Sequence, residues 1–186
     1  MQIQGTVDIV IELSEQAQAA LRFQSYTSLP PIEGVSYQPL NRHRSLEGDF
    51  MELYRLSGGL LEGSSELELR QISVSWASPG RINAFHLHPK RTQDEFWTVL
   101  EGRMLVWLID LRRGSPTEGV KRPFLLASDS PGLLYIPSGV AHGYRAGSAG
   151  ATLLYAMNAQ FDPKDPNEGR LPWDHFGAEL WEDDRG

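Results

Sequence analysis

Gly80-Arg-Ile-Asn-Ala-Phe-His86-Leu-His88-Pro-Lys-Arg-Thr-Gln-Asp-Glu95-Phe-Trp-Thr-Val-Leu-Glu-Gly102 decides the fold once it is read with a second block, Gly132-Leu-Leu-Tyr-Ile-Pro137-Ser-Gly139-Val-Ala-His142. Residues two apart on a strand share a face, so His86 and His88 approach one point together. Glu95 heads the apolar run that follows, and Pro137-Ser-Gly139 reads as a tight turn that aims His142 inward. The chain has five histidines, and three of them lie in these two blocks. The spacing predicts a metal-binding β-barrel with His86, His88, Glu95 and His142 as ligands. Imidazole and carboxylate donors suit Zn, Mn, Fe, Ni or Cu, and three or four protein ligands leave room for water or substrate.

The rest of the chain agrees with a barrel. Leu67 to Trp76 alternates and stops at Ser78-Pro79-Gly80. Phe96 to Leu100 and Met104 to Leu111 read as two strands joined by a tight turn at Gly102. Phe50 to Tyr54, Phe124 to Leu126, Leu133 to Ile136 and Thr152 to Met157 are further short strands, and Gly58-Gly59 marks another turn. Many short strands with little helix predict an all-β fold, a barrel or double-sheet jelly roll in a single domain. Residues 1–45 are expected to precede it as a strand through Val7, Ile9 and Ile11, a short helix and an arm. Ser14 is the N-cap of that helix, which runs from about Glu15 to Phe23, and Leu29 to Arg44 reads as loop. Residues 46–186 would form the barrel.

Composition removes several classes of function. At 186 residues, 40% hydrophobic and 22% charged, the chain suits one globular domain. A net charge of −7 disfavours non-specific attraction to nucleic acid or an anionic membrane. No cysteine is present, so thiolate chemistry is excluded. The start lacks a basic flank and apolar run, and no apolar stretch reaches spanning length, so a cytoplasmic protein is expected.

The two histidine blocks resemble the paired motifs of the cupin superfamily, a double-stranded β-barrel. A more specific resemblance runs through Gly48-Asp-Phe-Met-Glu-Leu-Tyr54, Gln71, Asp110-Leu-Arg112-Arg-Gly-Ser115-Pro-Thr117, Tyr135-Ile-Pro137-Ser-Gly139-Val-Ala-His142-Gly143-Tyr144, Leu154-Tyr155, Asp162-Pro163, Glu168-Gly169 and Trp173 to Trp181. These stretches are similar to the dTDP-4-dehydrorhamnose 3,5-epimerase family, whose fold is cupin-like. The resemblance implies a homodimeric isomerase acting on a keto-sugar or nucleotide sugar. His86 falls at the family's catalytic base, Tyr155 at its general acid, and His142 in the same cavity. Arg81, Asn83, Gln93 and Arg112 are the candidate substrate contacts, and no nucleotide cofactor is implied. A C–H bond beside a carbonyl is acidic enough for neutral imidazole to abstract its proton near pH 7, and a phenol on the other face can return one.

Departures from the family pattern are specific. Asn83-Ala84 stands where the family has Arg-Gly, Glu95 where it has Lys, and Glu47 where it has Arg. His88 takes the place of a Gln, and with Glu95 it restores a cupin-like metal set. The late Asp that orients the family's base histidine has no expected counterpart within these 186 residues. An imidazole bound to a metal cannot also accept a proton, so His86 is either ligand or base on this reading. Two alternatives stay open: a metal-dependent cupin oxygenase or isomerase acting on a small polar compound, and a non-catalytic sugar-binding cupin. Asp110 and Arg112 also read as a structural ion pair, and Trp76, Trp97 and Trp107 as core or interface residues.

Overall fold

The computed structural model describes residues 11–24, 26–62 and 67–183. In chain order it contains α1 (Glu15–Ala20), β1 (Ser36–Pro39), β2 (Arg42–Ser45), β3 (Gly48–Met51), β4 (Leu56–Ser57), β5 (Leu60–Leu61), β6 (Gln71–Ala77), β7 (Ile82–Leu87), β8 (Glu95–Asp110), β9 (Lys121–Ala127), β10 (Gly132–Ile136), β11 (Val140–Met157), β12 (Gly169–Arg170) and a 3-10 turn at Ala178–Trp181. Ser14 caps α1 as expected, its hydroxyl accepting from the Ala17 N–H. The helix stops at Ala20, short of Phe23, because it buries no residue and so has no packing to extend it. The strand expected through Val7 and Ile9 lies outside the described residues.

β8 and β11 organise the barrel. β8 was expected as two short strands and β11 only from Thr152 to Met157, yet they run unbroken for 16 and 18 residues. They pair antiparallel along their whole length, from Val140↔Asp110 to Met157↔Glu95. Each bends midway and so serves two faces. The first half of β8 pairs β10 and the last part of β11 pairs β6, while β1 extends the sheet beyond β10. That face runs β1-β10-β8-β11-β6. The second half of β8 pairs β9, the first part of β11 pairs β7, and β12 adds to β7. The other face therefore runs β9-β8-β11-β7-β12, and the two together make a jelly roll. Gly102 is a bend rather than the turn expected there. Its φ of +72° is open to glycine, and a Cβ would lie 2.2 Å from the Gly150 carbonyl oxygen.

Between the faces lies the main core, in which Met104, Val106, Leu108, Leu134 and Val140 are fully or almost fully buried. Removing such side chains from water stabilises the fold by roughly 1.5–3 kcal/mol each. A second cluster, Phe85, Ile109, Ala141 and Trp181, packs the C-terminal turn against the outside of β7 and β11.

β1 and β2 lie in the segment that read as loop. Their residues are exposed throughout, so neither strand carries the apolar alternation that marks a half-buried one. β1 is held at the sheet edge by its backbone, from Ser36↔Tyr135 to Pro39↔Gly132, and Pro39 at its end is tolerated at an edge. Two small hairpins, β2–β3 and β4–β5, stand as separate two-stranded sheets.

Candidate active site

One end of the barrel opens into a cavity of about 460 Å³ lined by residues of β6, β7, β8, β11 and β12. A space of that size suits a small-molecule substrate. The alternation of the strands sets its wall: Glu95 and Trp97 on β8 face inward beside Tyr155 and Met157 of β11, and the pairs Met157↔Glu95 and Tyr155↔Trp97 are in register. On β7 the alternation is broken deliberately. His142↔His86 and Tyr144↔Asn83 are both paired, so three residue steps on β7 oppose two on β11. The extra residue makes a β-bulge, which lets Asn83 and His86 face the same cavity although they differ in parity. Gly143 sits at that bulge, where a Cβ would come within 2.3 Å of the Ala84 Cβ.

Two clusters of titratable side chains share the cavity. In the first, His86 Nδ1 meets the Glu168 carboxylate and Nε2 lies 3.0 Å from Asn83 Oδ1. Arg170 also donates to Asn83 Oδ1 at 3.2 Å. The β12–β7 pairing, Gly169↔Leu87 and Arg170↔His86, brings Glu168 to His86. Burial raises the Glu168 carboxyl, but the His86 contact and the neighbouring histidines outweigh it and hold it below its ordinary range. A carboxylate partner for His86, expected to be missing, is thus present in Glu168, 82 residues along the chain from His86.

The second cluster is His88, Glu95 and His142, whose donor atoms all lie within 4.8 Å of one another. All three are buried. His88 Nε2 is 2.8 Å from Glu95 Oε1, and His142 Nε2 is 3.9 Å from Glu95 Oε2. The other nitrogens are tied to the backbone: His88 Nδ1 to the Asn167 carbonyl at 2.6 Å and His142 Nδ1 to the Val140 carbonyl at 3.0 Å. Glu95 also accepts from Gln93 Nε2 at 2.9 Å and Trp97 Nε1 at 2.6 Å. Burial opposes the Glu95 charge, yet the His88 hydrogen bond and the adjacent ring charges outweigh it and keep the carboxyl well below its ordinary value. His142 is pushed down to about 4, chiefly by burial, and is neutral at pH 7. Burial lowers His88 too, but its bond and charge pairing with Glu95 win and leave it raised.

The expected metal set therefore divides. His88, Glu95 and His142 come together, whereas His86 turns to Glu168. Tyr155 lines the cavity, and burial raises its phenol, which keeps the proton on it at neutral pH. Of the candidate substrate contacts, Asn83 and Gln93 line the cavity, but Arg81 and Arg112 do not. Arg81 is exposed on the bulged side of β7. Arg112 donates from Nε and Nη2 to Asp110 at 2.8 Å and from Nη2 to the Glu33 carbonyl at 2.6 Å, as a structural pair would. Glu168 and Arg170 escaped the sequence reading as site residues. Their only signal was the Glu168-Gly169 pair within the family pattern, since pairing of β12 with β7 is not written in local periodicity.

Residues 30–180 match the sequence model of the dTDP-4-dehydrorhamnose 3,5-epimerase family. The chain is 41% identical over 144 residues to the spore coat polysaccharide biosynthesis protein SpsL of Bacillus subtilis, covering 77% of this chain and 91% of that one. Among solved structures, it resembles a dTDP sugar isomerase of Desulfovibrio desulfuricans with a TM-score of 0.69 at 25% identity, over 80% of this chain and 90% of that one. It also resembles NovW, a 4-keto-6-deoxy sugar epimerase of Streptomyces spheroides, with a TM-score of 0.68 at 27% identity, over 85% and 80% of the two chains.

Proposed function

Because the chain belongs to the dTDP-4-dehydrorhamnose 3,5-epimerase family, we propose that it inverts a keto-sugar carbon beside the carbonyl, with His86 as base and Tyr155 as acid. The observation that carries this reading is the His86–Glu168 pair inside a cavity that Tyr155 also lines. With its Nδ1–H donated to Glu168, neutral His86 carries its lone pair on Nε2, where the substrate C–H would take the place that Asn83 Oδ1 occupies at 3.0 Å. After abstraction, the Nδ1–H contact to Glu168 strengthens as charge develops, and the new Nε2–H gains Asn83 Oδ1 as an acceptor. The enolate that remains takes a proton from the Tyr155 hydroxyl on the opposite face, and configuration inverts.

The substrate class in this reading is a dTDP-linked 4-keto-6-deoxy sugar, supported by the family match and by the likeness to NovW. Asn83 and Gln93 would contact the sugar, and Arg170 at the rim an anionic group of it. Incubation with a dTDP-4-keto-6-deoxy sugar in deuterium oxide tests the proposal by NMR. Deuterium is expected at C3 or C5, and none at either position would sink it. Tyr155→Phe should keep exchange of the abstracted proton while net inversion falls about 10²-fold or more.

Three finer statements belong to the same reading. A divalent cation is held in the cavity, which the convergence of His88, Glu95 and His142 supports. The site of action is the cytoplasm, which fractionation of the source cells checks. The protein is a homodimer. On β6 the usual pattern is inverted: Ser75 and Gln71 face the cavity, while Ile72, Val74 and Trp76 are 55%, 38% and 74% exposed. Such a stripe on an edge strand needs cover. Sedimentation should give a dimer that Trp76→Glu dissociates; a monomeric parent protein would end this part of the reading.

A further inference from the structure

We propose that His88, Glu95 and His142 by themselves hold a divalent metal ion, and that His86 stays outside its coordination as the free base. The two histidines are anchored in the same way. Each anchors Nδ1 on a backbone carbonyl, Asn167 for His88 and Val140 for His142, which leaves Nε2 to face Glu95. Fixing the far nitrogen of an imidazole in this way is how proteins orient metal-binding histidines. Ligands about 2.0–2.2 Å from a tetrahedral ion lie roughly 3.3–3.6 Å apart. The separations here, 2.8 Å and 3.9 Å with all atoms inside 4.8 Å, bracket that range.

A second observation points to a ligand. His142 is 3% exposed, and its Nε2 faces Glu95 Oε2 at 3.9 Å. With Nδ1 donating to Val140, that nitrogen carries a lone pair, so two acceptors confront each other in a buried place. A cation between them converts the confrontation into two bonds. Gln93 Nε2, 2.9 Å from Glu95 Oε1 and 3.2 Å from His88 Nε2, now supplies part of that positive character. The opposite edge of the cluster is closed by Trp97, whose ring meets His142 edge-on at 5.2 Å.

His86 is kept out by its own partners. Its nitrogens engage Glu168 and Asn83, and its ring stacks on His142 with centroids 5.9 Å apart and planes 18° from parallel. One lone pair therefore need not serve two roles. Three protein ligands leave coordination positions open toward the cavity. An ion there supplies Lewis-acid polarisation of a carbonyl oxygen, while His86, oriented by Glu168, moves the proton. The ion's catalytic use rests on the epimerase reading; its binding does not.

The test begins with protein stripped by chelator and dialysed. Zn, Mn, Fe(II), Ni and Cu are then returned singly, and bound metal is measured by elemental mass spectrometry alongside the melting temperature. The expected result is about one ion per chain and a melting temperature raised by several degrees. Glu95→Gln and His142→Gln should each lose stoichiometric metal and the thermal shift, and His88→Gln serves as a third variant should one of them fail to fold. His86→Asn should keep both. Absence of stoichiometric binding for all five metals would overturn the site, and loss of metal in His86→Asn would overturn the three-ligand assignment. Metal bound without deuterium exchange on the keto-sugar would count against the epimerase reading alone. Full exchange by the stripped protein would instead remove the ion's catalytic role.

Discussion

In the proposed reaction His86 is the base, and its partner determines how it can act. A carboxylate on Nδ1 fixes the tautomer, directs Nε2 at the cavity and stabilises the imidazolium once formed. In that reading Glu168 is a positioning residue, with a signature distinct from a structural one. In Glu168→Gln the amide keeps the shape and loses the charge, so kcat should fall about 10²-fold with KM little changed. Glu168→Asp should recover part of the loss. Steady-state kinetics decide it: a rise in KM at unchanged kcat would assign Glu168 to substrate binding instead. At Glu95 the exchange of a family lysine for a carboxylate looks like a simple loss of positive charge in the sequence. In the structure that carboxylate is buried against two histidines, where a cation would return the charge.

At the level of elements, the site depends on the β-bulge between β7 and β11. The bulge brings Asn83 and His86 to one face, and it requires β11 to pass close to Ala84. Gly143 makes that approach possible, because a Cβ there would lie 2.3 Å from the Ala84 Cβ and 2.8 Å from its Cα. Gly143→Ala should destabilise the fold by about 1–3 kcal/mol through overpacking. It should also lower activity beyond the loss of folded protein, since the backbone shift displaces His86. Urea unfolding with activity measured on the folded fraction tests both parts; an undisturbed activity would show that the bulge does not set the geometry. The length of β8 and β11 matters in the same way. Only a strand that bends across two faces can place His142 and Tyr155, 13 positions apart on β11, around one cavity.

Across the whole molecule, one buried ion pair ties the N-terminal arm to the barrel. Asp110 is wholly buried and accepts from the Arg112 guanidinium, the Arg112 N–H, Ser115 and Thr117, while Arg112 and Thr117 reach Glu33 on the arm. The Arg112 guanidinium first, then the hydroxyls, hold the Asp110 carboxyl far below its ordinary range against the cost of burial. A carboxyl lowered in the folded state stabilises above its unfolded pKa of about 3.9 and loses that contribution as pH falls. Asp110→Asn should therefore cost about 3 kcal/mol at pH 7, and its deficit should shrink between about pH 5 and pH 2. Denaturant unfolding across that range checks it, and a deficit independent of pH would refute the assignment. The sequence by itself determined the all-β class, most of the strands around the core, the family, and that His86, His88, Glu95, His142 and Tyr155 would share a cavity, because alternation, turns and histidine spacing are local and the family motifs are specific. It did not determine how those side chains are shared between two roles. Glu168 reaches His86 only through the β12–β7 pairing, the backbone carbonyls of Asn167 and Val140 orient His88 and His142, and Arg112 is drawn to Asp110 rather than the cavity. Such contacts join residues distant in sequence, or depend on the direction a side chain takes, and packing alone decides them.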